Sequence, residues 1–386
     1  LHAGAPGDEA SVRPLTSDNG PRSSLPDDAL RAALAKIEAT AAARDESPAF
    51  PSEAFALLAA TEALALPAPD PVSGAGRRAS FAEEWGTLRA VARADGSVGR
   101  IYDGHLNGVE RVSVALPEPL RGRELEAISA GELLIGVWGA DPAPGEGEPA
   151  RLTKDGAAVT GAKTFCSGAG GVDRALILVR GAEGEPGAPK LAYVDLTAGR
   201  HEVDRGWYKS AGMRASESHR VVFDGTPVLA VLGDPGEISR EPYFGRDAVR
   251  TAVSWAGIAD RAVDSALDTL AAKSGGEPDD LVSLSAGKML AAQSTMDRWV
   301  EHAARTADSD PEALFAALSI RLRSQVADSC REILDEASRA CGSRPFAVAD
   351  PLDRARRDLE VFLLQHRLEP LLAREGRRAI LDAGRR

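Results

Sequence analysis

Apolar residues recur at helical spacing from Leu25 to about Ala115, break into short runs in the middle, and return to helical spacing until the end. The first third reads as helices. Pro26-Asp27-Asp28 resembles a helix start, Ala29 to Ala43 is rich in Ala and Leu, and Pro51 to Leu66, Phe81 to Asp95 and Ile101 to Ala115 continue the pattern around a Pro/Gly-rich loop at Pro67 to Ala75. After Gly131 the runs are of strand type: Leu133 to Trp138, Ala158 to Thr160, Ala175 to Val179, Leu191 to Val194 and Arg220 to Phe223, with a hairpin loop expected over Gly181 to Pro189. From Arg246 onward long Ala/Leu/Arg-rich segments predict a bundle of four or more helices, interrupted at Ser274 to Asp280, Asp308 to Pro311 and Gly342 to Pro351.

The expectation is an α+β chain of three units: N-terminal helices over 25–130, a compact, barrel-like β unit over 131–235 and a helical bundle over 240–386. Composition narrows the function classes. With 386 residues and 44% hydrophobic content the chain can bury a large core. A net charge of −12 argues against a phosphate-backbone partner, so no nucleic acid is expected. No apolar run is long enough to span a bilayer, and Leu1 to Ser24 holds no apolar export signal. Cys166, Cys330 and Cys341 are odd in number and lack a CxxC spacing, which indicates neither disulfides nor a zinc site and fits a reducing cytoplasm.

Three motifs in the middle segment occur in a familiar order. Ile135 to Trp138 runs into Gly139-Ala140-Asp141-Pro142. A hairpin over Asp155 to Lys163 leads into Phe165-Cys166-Ser167-Gly168. Gly212-Met213-Arg214-Ala215-Ser216-Glu217-Ser218 precedes Val221 to Val228. This arrangement resembles the acyl-CoA dehydrogenase superfamily over roughly residues 25 to 366, and the third motif matches it almost residue for residue. The resemblance implies that family's fold of helical, β-barrel and helical parts, a flavin-dependent oxidoreductase activity, FAD or alternatively FMN as cofactor, and a homodimer or homotetramer. It also implies a small-molecule substrate, of which an acyl thioester is the family's usual kind.

The resemblance places the flavin against Phe165 and Ser167, whose ring and hydroxyl suit a flat ring with polar edges. Trp138 and Ala140 fall on the neighbouring flavin strand. Arg214 and Ser216 fall either near the flavin's edge or phosphates or on a solvated loop. Cys166, alternating away from Phe165 and Ser167, is expected inside the core.

The chain departs from the family at the catalytic base. The family's C-terminal carboxylate follows an Arg-Asp pair, and in the run beginning Arg357-Asp358 its position is taken by His366, with Gln365 in the preceding Tyr place. Aligning a different helix through Gly257 puts Asp247 at an alternative base position, where it also reads as a helix cap or first-turn acid. The family's Thr-Glu-Pro is Ala140-Asp141-Pro142 here, its Gly-Ser-Asp is Gly145-Glu146-Gly147, and its segment for the AMP half of FAD has no counterpart around Lys273 to Leu284.

A related branch, flavin-dependent monooxygenases that use reduced flavin and oxygen, lacks the Glu base and often carries a flavin strand of the Phe-x-Ser-Gly type. In such an enzyme His366 would deprotonate a substrate or donate a proton, since imidazole titrates near neutrality. Three readings stay open: an acyl-thioester dehydrogenase with an altered base, a monooxygenase, and a non-catalytic scaffold with the same fold.

Overall fold

In a computed structural model of the chain, the described residues are 28–70, 74, 76–182, 187–365 and 367–385. Six helices come first: α1 (Asp28–Ala39), α2 (Ala41–Glu46), α3 (Ser52–Ala59), α4 (Phe81–Ala94), α5 (Gly96–Ala115) and α6 (Leu120–Ser129). Ser80 caps α4 by accepting from Glu83 N, and Asp95 caps α5 by accepting from Val98 N, so adjoining helices start where a short polar side chain meets an apolar-periodic run. Pro26 and Asp27, part of the expected first-helix start, lie outside the described residues.

Seven strands follow: β1 (Ile135–Trp138), β2 (Arg151–Leu152), β3 (Ala158–Cys166), β4 (Arg174–Val179), β5 (Lys190–Asp195), β6 (His201–Asp204) and β7 (His219–Leu232). The strand order is β1-β4-β5-β7-β3-β2, with β6 paired to β7. The sheet is therefore open. The expected barrel is corrected because β1, which pairs with β4, and the two-residue β2, which pairs with β3, end the path without pairing to each other. β4 and β5 pair antiparallel through six residues, as a hairpin over 180–189 requires, although residues 183–186 lie outside the described set.

The remaining helices are α7 (Tyr243–Ser274), α8 (Asp280–Ser309), α9 (Ala316–Cys341), α10 (Arg344–Ala347), α11 (Pro351–Phe362) and α12 (Glu369–Ala383). One apolar core joins helices of both ends to the sheet, with Trp85, Tyr102, Trp255 and Trp138 among its fully buried rings. Arg89 on α4 reaches Asp260 on α7 at 2.6 Å and Asp297 on α8 at 2.6 Å, tying the first helices to the last. All three cysteines are free and buried. Among the described residues no helix is long and apolar enough to cross a membrane, and no group of His, Cys, Asp and Glu is arranged to hold a metal ion.

Candidate functional site

At the end of β3 the ladder to β7 slips between Lys163 and Cys166. The irregularity puts Phe165 at φ 53°, an uncommon conformation for a bulky residue, and leaves its side chain 58% exposed while Cys166 is fully buried. Burial pushes the Cys166 thiol well above its ordinary range, so it stays protonated. The Phe165 ring meets the Trp207 ring edge to face, with centroids 4.9 Å apart. Trp207 is itself anchored, its Nε1 donating to Glu146 Oε1 at 3.0 Å. An open aromatic face held by a backbone conformation that costs about 1–3 kcal/mol is a feature that the rest of the strand must sustain.

Hydroxyls line the adjoining turn. Ser167 Oγ lies 2.9 Å from Ser218 Oγ, Ser218 Oγ lies 2.7 Å from Ser216 Oγ, and Ser216 Oγ donates to Met213 O at 2.7 Å. Trp138 is buried beneath this row and donates from Nε1 to Ser167 O at 3.0 Å, so its ring supports the row from inside. Ala140 offers its backbone: its carbonyl accepts from Thr164 N at 3.1 Å. Of the residues singled out from the sequence, Phe165, Ser167 and Ser216 thus come together around one turn, with Trp138 behind them. Trp207 and Ser218 belong to the same surroundings; their only mark in the sequence is the aromatic pair Trp207-Tyr208 in a loop and the hydroxyl two residues after Ser216.

The turn is held by α11. At Gly212 a Cβ would overlap the carbonyl of Arg357, which accounts for glycine there. Asp358 accepts a hydrogen bond from Met213 N, and Arg357 Nη1 donates to Ala211 O at 2.7 Å while Nη2 pairs with Asp45 at 2.7 Å. The Arg357-Asp358 pair therefore clamps residues 211–213 against the last helices. Burial pushes the Asp358 carboxyl up to about 7; the Met213 N–H opposes the shift, and Asp95 and Asp45 add to it.

Arg214 faces a cleft of about 590 Å³ that it shares with Arg205, Tyr208, Lys209, His219 and Arg357. Arg205 is paired with the buried Glu217, and Arg357 with Asp45 and Asp353. Lys209 and Arg214 form no ion pair among the described residues and remain free to meet an anion.

Asp247 lies elsewhere, on the first turns of α7. Its carboxylate accepts from Arg111 Nη2 at 2.8 Å and lies 3.5 Å from Arg250 Nη1. Burial raises its pKa, and Arg111 and Arg250 oppose that shift. Asp103 on α5, paired with Arg100 at 3.1 Å, is pushed up to about 6 by burial. His105, on the same helix, is buried and driven down to about 4, its Nε2 2.9 Å from Leu64 O. His366, singled out as a proton donor or acceptor, lies outside the described residues.

Comparison with solved structures finds the same architecture several times. TdsC from Paenibacillus sp. A11-2, described as a dibenzothiophene monooxygenase and solved with FMN and indole, is 18% identical, covers 90% of this chain and 94% of its own, and superposes with a TM-score of 0.78. The chain has the acyl-CoA dehydrogenase-like fold. Methanesulfinate monooxygenase MsuC from Pseudomonas fluorescens is similar at 20% identity over 92% of this chain and 96% of that one, TM-score 0.76. KijD3, in complex with FMN and a dTDP-amino-keto sugar, is similar at 22% identity over 86% of this chain and 87% of that one, TM-score 0.74. At these identities the likeness establishes the fold. No protein family profile matches the chain, and no curated protein does either.

Proposed function

We propose that this protein is a flavin-dependent oxidoreductase whose chemistry is oxygenation of a small organic molecule. The observation that carries the reading is the exposed Phe165 face, maintained at a strained backbone position inside a fold shared with enzymes solved with FMN. A flavin would lie with its ring against Phe165 and Trp207, its polar edge toward Ser167 and the hydroxyl row, and its anionic tail toward Lys209 and Arg214. When bound, the flavin supplies the redox chemistry, accepting or delivering electrons. The chain's own residues bind and orient it: the aromatic pair provides stacking area, and the clamp of Arg357 and Asp358 holds the turn in place.

Two observations favour oxygenation over acyl-thioester dehydrogenation. Dehydrogenation needs a free carboxylate base beside the substrate, and Asp247 is engaged by two arginines within the helical layer. Two of the similar structures are named as monooxygenases. In this reading Asp247 is a structural acid, and His366 is the proton-handling residue. FMN is the proposed form of the cofactor, and the working unit is a homodimer or homotetramer built through the last helices, where Leu281 and Leu284 of α8 are solvent-exposed.

The test is direct. Purified protein should bind FMN and, given a chemical or enzymatic source of reduced flavin, consume oxygen faster in the presence of an aromatic or sulfur-containing substrate. Anaerobic bleaching of bound flavin by an acyl-CoA would reverse the choice of reaction. Replacing His366 with Ala should lower turnover by roughly a hundredfold while leaving flavin binding intact.

A further inference from the structure

A second groove, of about 1010 Å³, lies between α5, α6 and the start of α7. It is separate from the Phe165 face. Ile101 of α5 lies against Gly168, next to the aromatic turn, whereas Glu110 of the same helix lies at the groove; nine residues of helix separate them, a rise of about 14 Å.

Beneath the groove runs a closed set of ion pairs. Arg77 contacts Glu84 and Glu110; Arg250 contacts Glu84, Glu110 and Asp247; Arg111 contacts Asp247; and Arg246 contacts Glu110 at 3.5 Å. Among the described residues the set holds four guanidiniums and three carboxylates, and none of its members has a further ion-pair partner. One positive charge is left over in a largely buried place, where an uncompensated charge is costly.

The excess falls on Arg246. The side chains of Arg77, Arg111 and Arg250 all donate hydrogen bonds within the chain, whereas the Arg246 guanidinium donates none, although the residue is only 3% exposed. Its guanidinium carbon sits 5.0 Å from the centroids of both Phe81 and Tyr243, which hold it between two ring faces and fix its direction. It lines the groove with Phe81, Tyr243 and Arg77. Burial lowers its pKa, Glu110, which it shares with Arg77 and Arg250, opposes that, and Arg250 and Arg77 add to the lowering. Of the acids nearer the rim, Glu118 pairs with Arg121 and Asp308 accepts from the backbone of Phe81 and Ala82 at the start of α4, while Asp70, Glu126 and Glu312 also line the groove, so an anion is drawn to the buried Arg246 end rather than to the rim.

We propose that this groove is a second ligand site, taking the oxyanion head, a carboxylate or a phosphate, of a small organic molecule against Arg246, with Tyr243 and Phe81 beside it. The head group would supply the missing counter-charge and the hydrogen-bond acceptors that Arg246 lacks. A planar fork of donors suits both oxyanions. The proposal does not depend on the flavin reading.

The experiment follows thermal unfolding of the whole chain against inorganic phosphate and, separately, acetate, at an ionic strength held constant with sodium chloride. A saturable rise in Tm with at least one anion is expected, with apparent affinity weakened about tenfold or more in Arg246→Met. The rise should persist in Lys209→Met, which alters the other basic cleft. The relative strength of phosphate and acetate tells which head group the site takes. No saturable rise with either anion, a rise unchanged in Arg246→Met, or a rise lost in Lys209→Met would each overturn the proposal. Should Arg246→Met fail to fold, Arg246→Lys, which keeps the charge and loses the fork, must weaken the response; an unchanged response then counts against the site.

Discussion

Two arginine-bearing regions of this molecule use the same side chains to opposite ends. Between α4, α5 and α7, Arg111 and Arg250 are enclosed and Arg77 is half-buried at the groove, and each is matched to carboxylates of neighbouring helices. Around the turn after β6, Lys209 and Arg214 stand in an open cleft with no ion-pair partner among the described residues, beside a buried row of serines and an exposed aromatic face. Solvent makes the difference. In the closed layer, losing one partner strands the other without water, whereas in the cleft water solvates a cation until a ligand replaces it. The first region should therefore answer to stability measurements and the second to binding measurements.

The comparison breaks most visibly at Arg250. Arg250→Met should cost about 3–5 kcal/mol of stability because Glu84 and Glu110 are then left buried with fewer partners. Urea unfolding measures this, and a loss under 1 kcal/mol would mean that the layer is wetter than its geometry implies.

Next in size is the pH dependence set by the clamp. The folded-state pKa of Asp358, about 7, lies above its ordinary value of 3.8, so its contribution is fully present below about pH 4 and is lost as pH rises through 7. Asp358→Asn should thus gain stability relative to the parent between pH 4 and pH 8, by no more than about 4 kcal/mol. Parallel stability profiles for the two proteins would refute this. The opposite sign holds at Glu110. Burial pushes its carboxyl up, but Arg250, Arg246 and Arg77 outweigh burial and hold it at about 2, so its contribution is lost only as pH falls below the ordinary carboxylate range.

Phe165 sharpens the contrast. Phe165→Ala should weaken FMN binding by about tenfold, the loss of one stacking face, while unfolding free energy changes by less than about 1 kcal/mol because the ring is already exposed. Fluorescence titration and a urea melt read the two effects separately. The smallest expected effect is at Lys209: Lys209→Met should leave stability within about 0.5 kcal/mol and narrow the preference for FMN over riboflavin, which lacks the phosphate. An unchanged preference would place the anionic tail elsewhere.

Much of the architecture was readable before the structure. Helices appear where Ala/Leu periodicity predicts them, and α7, α8 and α9 end at the predicted interruptions. The short β2 and β6 and the helix α6 were not anticipated: a two-residue strand carries no period, and α6 is polar on most of its surface, with Glu124 and Ile128 as its buried residues. Within the site, the neighbourhood of Phe165, Ser167 and Ser216 was readable because their motifs are short and lie in one stretch of the fold. The packing of Trp138 behind the row and the arginine partners of Asp247 were not, although a place near a helix start was expected for Asp247.

The sequence alone determined the order of helical and strand segments, the likeness of its middle motifs to a flavin-binding family, and the loss of that family's usual base. These depend on residues near one another along the chain, where a period of 3.6 or 2 and the turn chemistry of Gly and Pro act locally. Tertiary structure alone decided that the sheet stays open, that Trp207 meets Phe165 across 42 positions, and that four arginines from three segments share three carboxylates. Each of these arises from groups distant in sequence competing for the same buried space. Burial and pairing there depend on every neighbour at once, which no local pattern encodes.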